Sequence, residues 1–217
     1  PVAAYGRRPR AVLNMPFSEE IPTLTPVGIT RWKGEEWITQ RALDTANFTV
    51  EKDALTLCGN GLDLCDRKMQ GLLLVRQQER AFTAETALEI PAADTAGLTC
   101  YYDEHSYLKF GIGPEGLLLE EYAGYEVVSM QTAPLPASTS HVRLRVTATD
   151  GQRHFAIQDG TDWHTLWSIP EPRYLTSEGL QCGKRFTGAM VGLYVHGASA
   201  VRFADWSAVW SCPEEKR

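Results

Sequence analysis

Residues 183–206 read GKRFTGAMVGLYVHGASAVRFADW, and they carry the clearest structural signal in the chain. An apolar strand interrupted by Gly192 is followed by a turn of small residues. In the second strand, Val201 and Phe203 alternate with polar or small side chains. Strands in this arrangement near the end of a chain are typical of an antiparallel sheet fold that closes by pairing its last strand with an earlier one.

Alternation of apolar and polar side chains continues upstream. In residues 82–90, Phe82 and Leu88 share one face and Glu85 lies on the other, which predicts a half-buried strand. Such strands recur about every 8 to 12 residues, with hairpin signals such as Asp150-Gly151 between them. No helical periodicity extends beyond about two turns. We therefore predict an all-β protein, a two-sheet antiparallel β-sandwich.

The leucines at positions 55, 57, 62 and 64 flank the sequence Cys58-Gly59-Asn60-Gly61. Glycine and asparagine favour tight turns between strands. We predict a strand, a turn and a second strand in this segment.

The chain divides into three parts by composition. Residues 1–30 contain five prolines and a short basic run at 7–10, which favours an extended N-terminal connector. Residues 31–212 have globular composition and form the predicted sandwich. Residues 213–217 are assigned to a C-terminal tail.

The net charge and the hydropathy of the sequence limit the classes of partner that we expect for this chain. The net charge of −6 disfavours nucleic-acid binding, which needs a basic face. No apolar run approaches the roughly 18 residues of a membrane span. We therefore expect neither a nucleic-acid nor a membrane partner. The expected localisation is cytoplasmic, unless a leader or an upstream domain precedes Pro1.

The five cysteines are scattered and include no Cys-x-x-Cys pair, so a zinc site is not predicted. The odd number favours free thiols in a reducing compartment. A disulfide between Cys58 and Cys65 remains an open alternative.

No catalytic constellation is evident, and whether the chain is an enzyme stays open. Glu85 and Glu89 have the spacing of the outer acids in the Glu-x-Asp-x-Glu pattern of sandwich glucanases, but Ala87 replaces the central acid. Adjacent Glu120 and Glu121 point to opposite faces of a strand, and residues 103–104 are expected in a turn. The five histidines form no metal-binding motif, and Gly-x-Ser-x-Gly is absent.

Several short motifs occur in the order found in one domain family. They are Leu74-Val75-Arg76-Gln77-Gln78, Phe82-Thr83-Ala84-Glu85-Thr86, Ala96-Gly97-Leu98, Asp159-Gly160-x-Asp162-Trp163, Phe186-Thr187-Gly188 and Phe203-x-Asp205-Trp206. Over roughly residues 32–211 the chain resembles the C-terminal concanavalin A-like β-sandwich, a jelly roll, of glycoside hydrolase family 43 β-xylosidases.

The resemblance implies a partner and a role for one aromatic residue. In that family the catalytic carboxylates lie on a five-bladed β-propeller, and the aromatic of the Phe-Thr-Gly motif closes the rim of its sugar pocket. Phe186 is the matching position. The implied partners are a catalytic β-propeller, in cis or in trans, and a xylo- or arabino-oligosaccharide. In related sandwich hydrolases an aspartate of the closing strand helps to hold a structural calcium, which makes Asp205 a candidate ligand. No other cofactor is expected.

The favoured function is that of an accessory domain in a β-xylosidase or α-arabinofuranosidase-like hydrolase of plant xylan fragments. The alternative is a free-standing carbohydrate-binding module, with Tyr101, Tyr107 and Trp167 as candidate sugar contacts. Trp163 matches a core tryptophan of the family. A sandwich glucanase is the least favoured alternative.

Overall fold

The computed structural model describes residues 29–40, 45–135, 140–183 and 188–211 of the chain. Within them lie fifteen strands and two short 3-10 turns, Thr45–Asn47 and Arg173–Leu175. The strands are β1 (Ile29–Trp32), β2 (Glu35–Ile38), β3 (Phe48–Val50), β4 (Ala54–Cys58), β5 (Leu72–Arg76), β6 (Ala81–Glu89), β7 (Thr95–Asp103), β8 (Ser106–Gly113), β9 (Gly116–Ala123), β10 (Glu126–Ala133), β11 (His141–Thr149), β12 (Gln152–Asp159), β13 (Asp162–Pro170), β14 (Met190–His196) and β15 (Ala200–Ser211). None of the described residues forms a helix long and apolar enough to cross a membrane.

The strands form two sheets. The first sheet has eight strands in the order β1-β2-β5-β14-β7-β8-β9-β10, and the second has seven in the order β13-β12-β11-β6-β15-β4-β3. The pairings between the described strands are antiparallel. The predicted all-β, two-sheet antiparallel sandwich is thereby confirmed.

The two ends of the chain lie largely outside the described residues. Strand β1 begins at Ile29, close to the expected start of the sandwich at residue 31. Residues 1–28 and 212–217 are not among those described. The boundaries of the connector and the tail therefore stay predictions.

The core fills the space between the sheets. Phe82 and Leu88 on β6 point inward and are buried, as the alternation of residues 82–90 predicts. Phe110 of the first sheet meets Phe155 of the second edge to face, with ring centroids 5.3 Å apart. Such pairs bind the two sheets together through close apolar packing.

The last two strands close the sandwich from opposite sheets. Strand β14 lies between β5 and β7, whereas β15 lies between β4 and β6. The chain crosses from one sheet to the other at Gly197, whose φ is 124° and whose α-carbon lies against the Asp94 side chain. Asp94 Oδ2 accepts a hydrogen bond from the backbone N–H of Ser199 at 2.6 Å. This contact fixes the crossing point.

The predicted second strand near residues 62–64 is wrong. Strand β4 ends at Cys58, and residues 59–71, here called the covering loop, pass over the outer face of the first sheet. Gly59 and Gly71 come so close to the backbone of residues 195–197 that no side chain would fit at either position. Leu64 is buried in an apolar cluster on that outer face. Burial of this side chain against the sheet stabilises the loop in place of a hairpin.

Candidate functional site

The register of the first sheet creates an aromatic row on its outer face. Met190 pairs with Tyr101, Tyr101 with Tyr107, and Tyr107 with Tyr122. The stacked rings of Tyr101 and Tyr107 have centroids 6.1 Å apart, and those of Tyr107 and Tyr122 are 4.6 Å apart. We call these three residues the tyrosine row. Cross-strand aromatic pairs stabilise a sheet and order the side chains of its face.

A cleft of ≈ 180 Å³ lies at the Met190 end of the tyrosine row. Its lining is mixed: Leu74 and Met190 are apolar, whereas Gln40, Arg76 and the two acidic residues at positions 103 and 104 are polar. We call it the Gln40 cleft. Apolar side chains together with a few polar groups are the usual lining of a small-molecule site.

One of the two polar side-chain atoms of Gln40 lacks a hydrogen-bond partner among the described residues. Its Nε2 donates a hydrogen bond to the Tyr101 hydroxyl at 2.6 Å. Its Oε1 is buried and has no hydrogen-bond partner among the described residues. A buried acceptor in this state costs about 1–3 kcal/mol.

The expected turn at residues 103–104 forms one side of the cleft. Asp103 Oδ1 accepts a hydrogen bond from the backbone N–H of His105 at 2.9 Å, and both acidic side chains are buried. Glu104 Oε1 lies 3.1 Å from Arg67 Nε of the covering loop. The two acids are therefore engaged in holding the turn and the loop.

Phe186 lies outside the described residues, but the structure describes the residues on both sides of its segment. Gly183, with a φ of 92°, lies with its α-carbon against the carboxylate of Asp103. On the other side, Met190 begins β14 and lines the Gln40 cleft. Gly183 and Met190, the described residues on either side of the Phe186 segment, thus lie at the same end of the first sheet.

A lysine that the sequence patterns did not reveal anchors the covering loop. Lys109 is 2% exposed. Its Nζ lies 2.9 and 3.0 Å from the carboxylate oxygens of Asp63 and 2.7 Å from Glu120 Oε1. Alternation places Lys109 on the outer face, but its partner Asp63 comes from a distant loop. A buried ammonium held by two carboxylates fixes the loop on the sheet.

Glu120 and Glu121 point to opposite faces, as predicted. Glu121 Oε2 accepts a hydrogen bond from the Tyr174 hydroxyl at 2.7 Å, on the opposite side of the sheet from Lys109. Burial, followed by the Glu121 carboxylate, raises the pKa of Tyr174 well above its usual range. Neither acid is presented to the cleft.

The three candidate sugar contacts differ in position. Tyr101 and Tyr107 are buried in the tyrosine row, and burial raises the pKa of Tyr107 strongly. Trp167 is half-buried and meets Phe110 edge to face at 6.0 Å, on the core side of the second sheet. The structure brings Tyr101 alone of the three into the Gln40 cleft. Their role in sugar binding stays a prediction.

Trp163 lies on the outer face of the second sheet and not in the core, contrary to the expectation from the family. It pairs with Gln158, next to inward-facing Ile157, and the Arg145 guanidinium lies 3.7 Å from its ring centroid. The Arg145 guanidinium stacks on the Trp163 ring and shields it from water. This contact takes the place of the core packing that the family resemblance implies.

Glu85 and Glu89 lie on the same outer face. Arg145 Nε donates to Glu85 Oε1 at 2.7 Å, and Arg143 lies 3.8 Å from the other carboxylate oxygen. His141 is 3.9 Å from Glu89. Glu85 is therefore engaged by two arginines across the strands, and Glu89 lies beside His141.

Asp205 occupies a β-bulge between Ala204 and Ser207, with a φ of 50°. Within the described residues, no group of three or more His, Cys, Asp or Glu side chains is arranged to hold a metal ion. The calcium ligand role of Asp205 stays a prediction.

Four of the cysteines, Cys58, Cys65, Cys100 and Cys182, are free thiols, and Cys212 lies outside the described residues. Burial raises the pKa of the Cys65 and Cys100 thiols. A disulfide between Cys58 and Cys65 is absent from the structure.

Two facing sheets, with the closing strand inserted between β4 and β6, define a β-sandwich of the concanavalin A-like class. The chain belongs to the family described as "Beta xylosidase C-terminal Concanavalin A-like domain", whose profile matches residues 33–209. A comparison with curated proteins finds no significant match.

Solved structures share the fold at low sequence identity. "Bacteroides ovatus Xyloglucan PUL GH43B" is 21% identical with a TM-score of 0.69, and the match covers 89% of this chain and 38% of that one. A xylan beta-1,4-xylosidase from Bacillus halodurans C-125 is 20% identical with a TM-score of 0.69, over 88% of this chain and 38% of that one. This chain therefore corresponds to well under half the length of either relative.

A third relative is of similar size to the sandwich itself. It is a functionally unknown protein from Saccharomyces cerevisiae, 18% identical with a TM-score of 0.56. The match covers 81% of this chain and 96% of that one. The same fold therefore also occurs as almost an entire chain.

Proposed function

We propose that this sandwich is the accessory domain of a family 43 glycoside hydrolase, similar to a β-xylosidase or an α-arabinofuranosidase that acts on plant xylan fragments. It packs on a catalytic β-propeller in the same polypeptide or in a partner chain. Phe186 forms one wall of the propeller's sugar pocket, where an aromatic ring covers the C–H face of a xylo- or arabino-oligosaccharide and excludes water.

The observation that carries this proposal is the shared position of three features at one end of the first sheet. Ile29 pairs with Ile38, so β1 enters the sandwich at the end of β2. The Gln40 cleft lies beside that end. Gly183 and Met190, which bracket the Phe186 segment, lie there as well.

The test is a Phe186→Ala substitution in a protein that joins this chain to its catalytic propeller. We expect kcat/KM for xylosides or arabinosides to fall at least about tenfold, or about 1.4 kcal/mol, and Phe186→Tyr to restore most of it. Urea unfolding of the 217-residue chain should change little in Phe186→Ala. A loss above about 3 kcal/mol would make Phe186 a core residue and contradict the proposal.

Sugar binding by the free sandwich is the second candidate, favoured by the mixed lining of the Gln40 cleft and by Gln40 Oε1, which has no hydrogen-bond partner among the described residues. Titration calorimetry with xylobiose and arabinobiose tests it. Heat of binding that is lost in Gln40→Leu and retained in Gln158→Leu, on the other sheet, would support a binding module. Absence of heat with both sugars would leave the accessory role as the better explanation.

Activity of the free chain distinguishes both functions from a sandwich glucanase. We expect no turnover of nitrophenyl xyloside, nitrophenyl arabinoside or β-glucan, because Glu85 is engaged by Arg145 and Arg143. Turnover that disappears in Glu85→Gln or Glu89→Gln would instead support a glucanase.

A further inference from the structure

Exposed apolar side chains are concentrated at one strand. Five large apolar side chains of the described residues are exposed, and four of them are Tyr125 (64%), Val127 (47%), Val128 (52%) and Met130 (59%). Tyr125 lies in the turn before β10, and the other three belong to β10. Single exposed apolar residues are ordinary, whereas a contiguous set marks an interaction surface.

Strand β10 is also an open sheet edge. It is the last strand of the first sheet, and no described strand lies on its far side. It has eight residues, no proline and a single ionisable group, Glu126, at its start. Edge strands normally carry lysine, proline or other charges that prevent pairing with another chain. In β10 the feature that opposes pairing is a bulge between Val127 and Ser129.

The other sheet edges are less suited to pairing. Strands β1 and β3 have four and three residues. Strand β13 ends at Pro170 and exposes the polar side chains of His164 and Thr165. The combination of length, apolar exposure and low charge within the described residues is found at β10.

We propose that β10 is a self-association surface, at which a second copy of this chain pairs antiparallel across a two-fold axis and joins the two first sheets into one. With the axis at Met130, that residue lies beside Met130 of the partner subunit, and Ser129 lies opposite Gln131 of the partner subunit. Each Glu126 then lies beyond the far end of the other strand. The strand is thus complementary to itself in apolar character and free of like-charge contact.

The dimer is expected to be weak. With the axis at Met130, residues 132 and 133 lie opposite the partner's bulge, so regular backbone pairing is confined to residues 129–131, and Val127 and Val128 add apolar contact. One strand pair buries less than the roughly 1,200–2,000 Å² of a stable interface. The net charge of −6 on each chain opposes association, so added salt should strengthen the dimer by screening.

Sedimentation velocity of the 217-residue chain between about 1 µM and about 1 mM, the range of weak association, tests the proposal. The mass should rise from 24.1 kDa toward twice that value. Met130→Lys should keep the protein monomeric, because two lysines would meet at the axis. Val209→Lys is the matched control, since Val209 is equally exposed at 59% but lies on the second sheet. Circular dichroism melting checks that both variants fold.

Cysteine trapping tests the register. Directly opposed residues in an antiparallel pair have α-carbons about 4.5–5.5 Å apart, within disulfide reach. Oxidation should therefore cross-link Met130→Cys into a dimer and leave Val209→Cys monomeric. A chain that stays monomeric at every concentration overturns the proposal. A dimer that survives Met130→Lys and is not trapped by Met130→Cys overturns it as well. Neither outcome bears on the accessory role.

Discussion

Gly183 lies with its α-carbon against the carboxylate of Asp103, at a φ of 92°, so residue 183 has no room for a side chain. Asp103 is itself buried and caps the β7–β8 turn through His105 N–H. The contact therefore joins the segment that leads to Phe186 to a rigid turn at the wall of the Gln40 cleft.

A Gly183→Ala substitution should destabilise the chain through both backbone strain and displacement of Asp103. Strain at a positive φ costs about 1–2 kcal/mol for a residue with a β-carbon. Gly160→Ala is the matched control, because Gly160 has a φ of 59° and open space around it. Urea unfolding should show a larger loss for Gly183→Ala than for Gly160→Ala. Equal losses would show that the Asp103 contact does not constrain the segment.

Replacement of Lys109 by methionine should be strongly destabilising. It would leave Asp63 and Glu120 without their shared ammonium in a buried site, at a cost of about 3–5 kcal/mol. Lys33→Met removes an ion pair to Asp53, whose side chain is 75% exposed, and should cost far less, because water and salt screen exposed ion pairs. Chemical unfolding of both variants measures the difference. Similar small losses would mean that the covering loop does not depend on Lys109.

Asp94 should contribute a small acid-dependent stability at the crossing between sheets. Hydrogen bonds from Ser199, followed by those of the neighbouring backbone, hold the pKa of Asp94 below its ordinary value. Because the folded pKa is depressed, the stabilisation is present above the unfolded value of about 3.9 and is lost as pH falls through the folded pKa. Its size should be below about 1 kcal/mol, since Asp94 is only partly buried and solvent screens its carboxylate.

The measurement for Asp94 is urea unfolding between about pH 6 and pH 2.5. The Asp94→Asn variant should lose this part of the pH dependence, whereas Asp162→Asn, at an exposed hairpin, should retain it. If the curves of Asp94→Asn and the unmodified chain run parallel, the carboxylate does not stabilise the crossing.

The thiols should not be needed for folding, because Cys58, Cys65, Cys100 and Cys182 are free in the structure. A sandwich of this size buries enough apolar area without covalent cross-links. Dithiothreitol should leave Tm unchanged in differential scanning calorimetry. A fall of more than about 5 °C, roughly a kcal/mol or more, would require a structural disulfide.

Local alternation predicted the strands well where one face of the strand is buried. Residues 82–90 were assigned to a strand, and β6 spans Ala81–Glu89 with Phe82 and Leu88 inward. The motifs in the closing stretch and elsewhere pointed to the family that the profile match establishes. The strand prediction depends on the two-residue period of a strand, and the family resemblance depends on the order of short motifs. Both can be read directly from the sequence.

The candidate site depended on contacts that no local pattern contains. The covering loop leaves β4 at Cys58 because its glycines and Leu64 fit the outer face of a sheet formed much later in the chain. Lys109 forms its ion pair with Asp63, a residue 46 positions away in the sequence. Alternation indicates which face of the sheet Trp163 lies on, but it does not indicate which side chain packs beside it. That side chain is Arg145, whose guanidinium lies over the ring. Strands with one buried face follow from the local sequence, whereas the covering loop, the cleft, the buried charges and the open edge at β10 were decided by tertiary packing, because side-chain environments depend on which distant strands become neighbours.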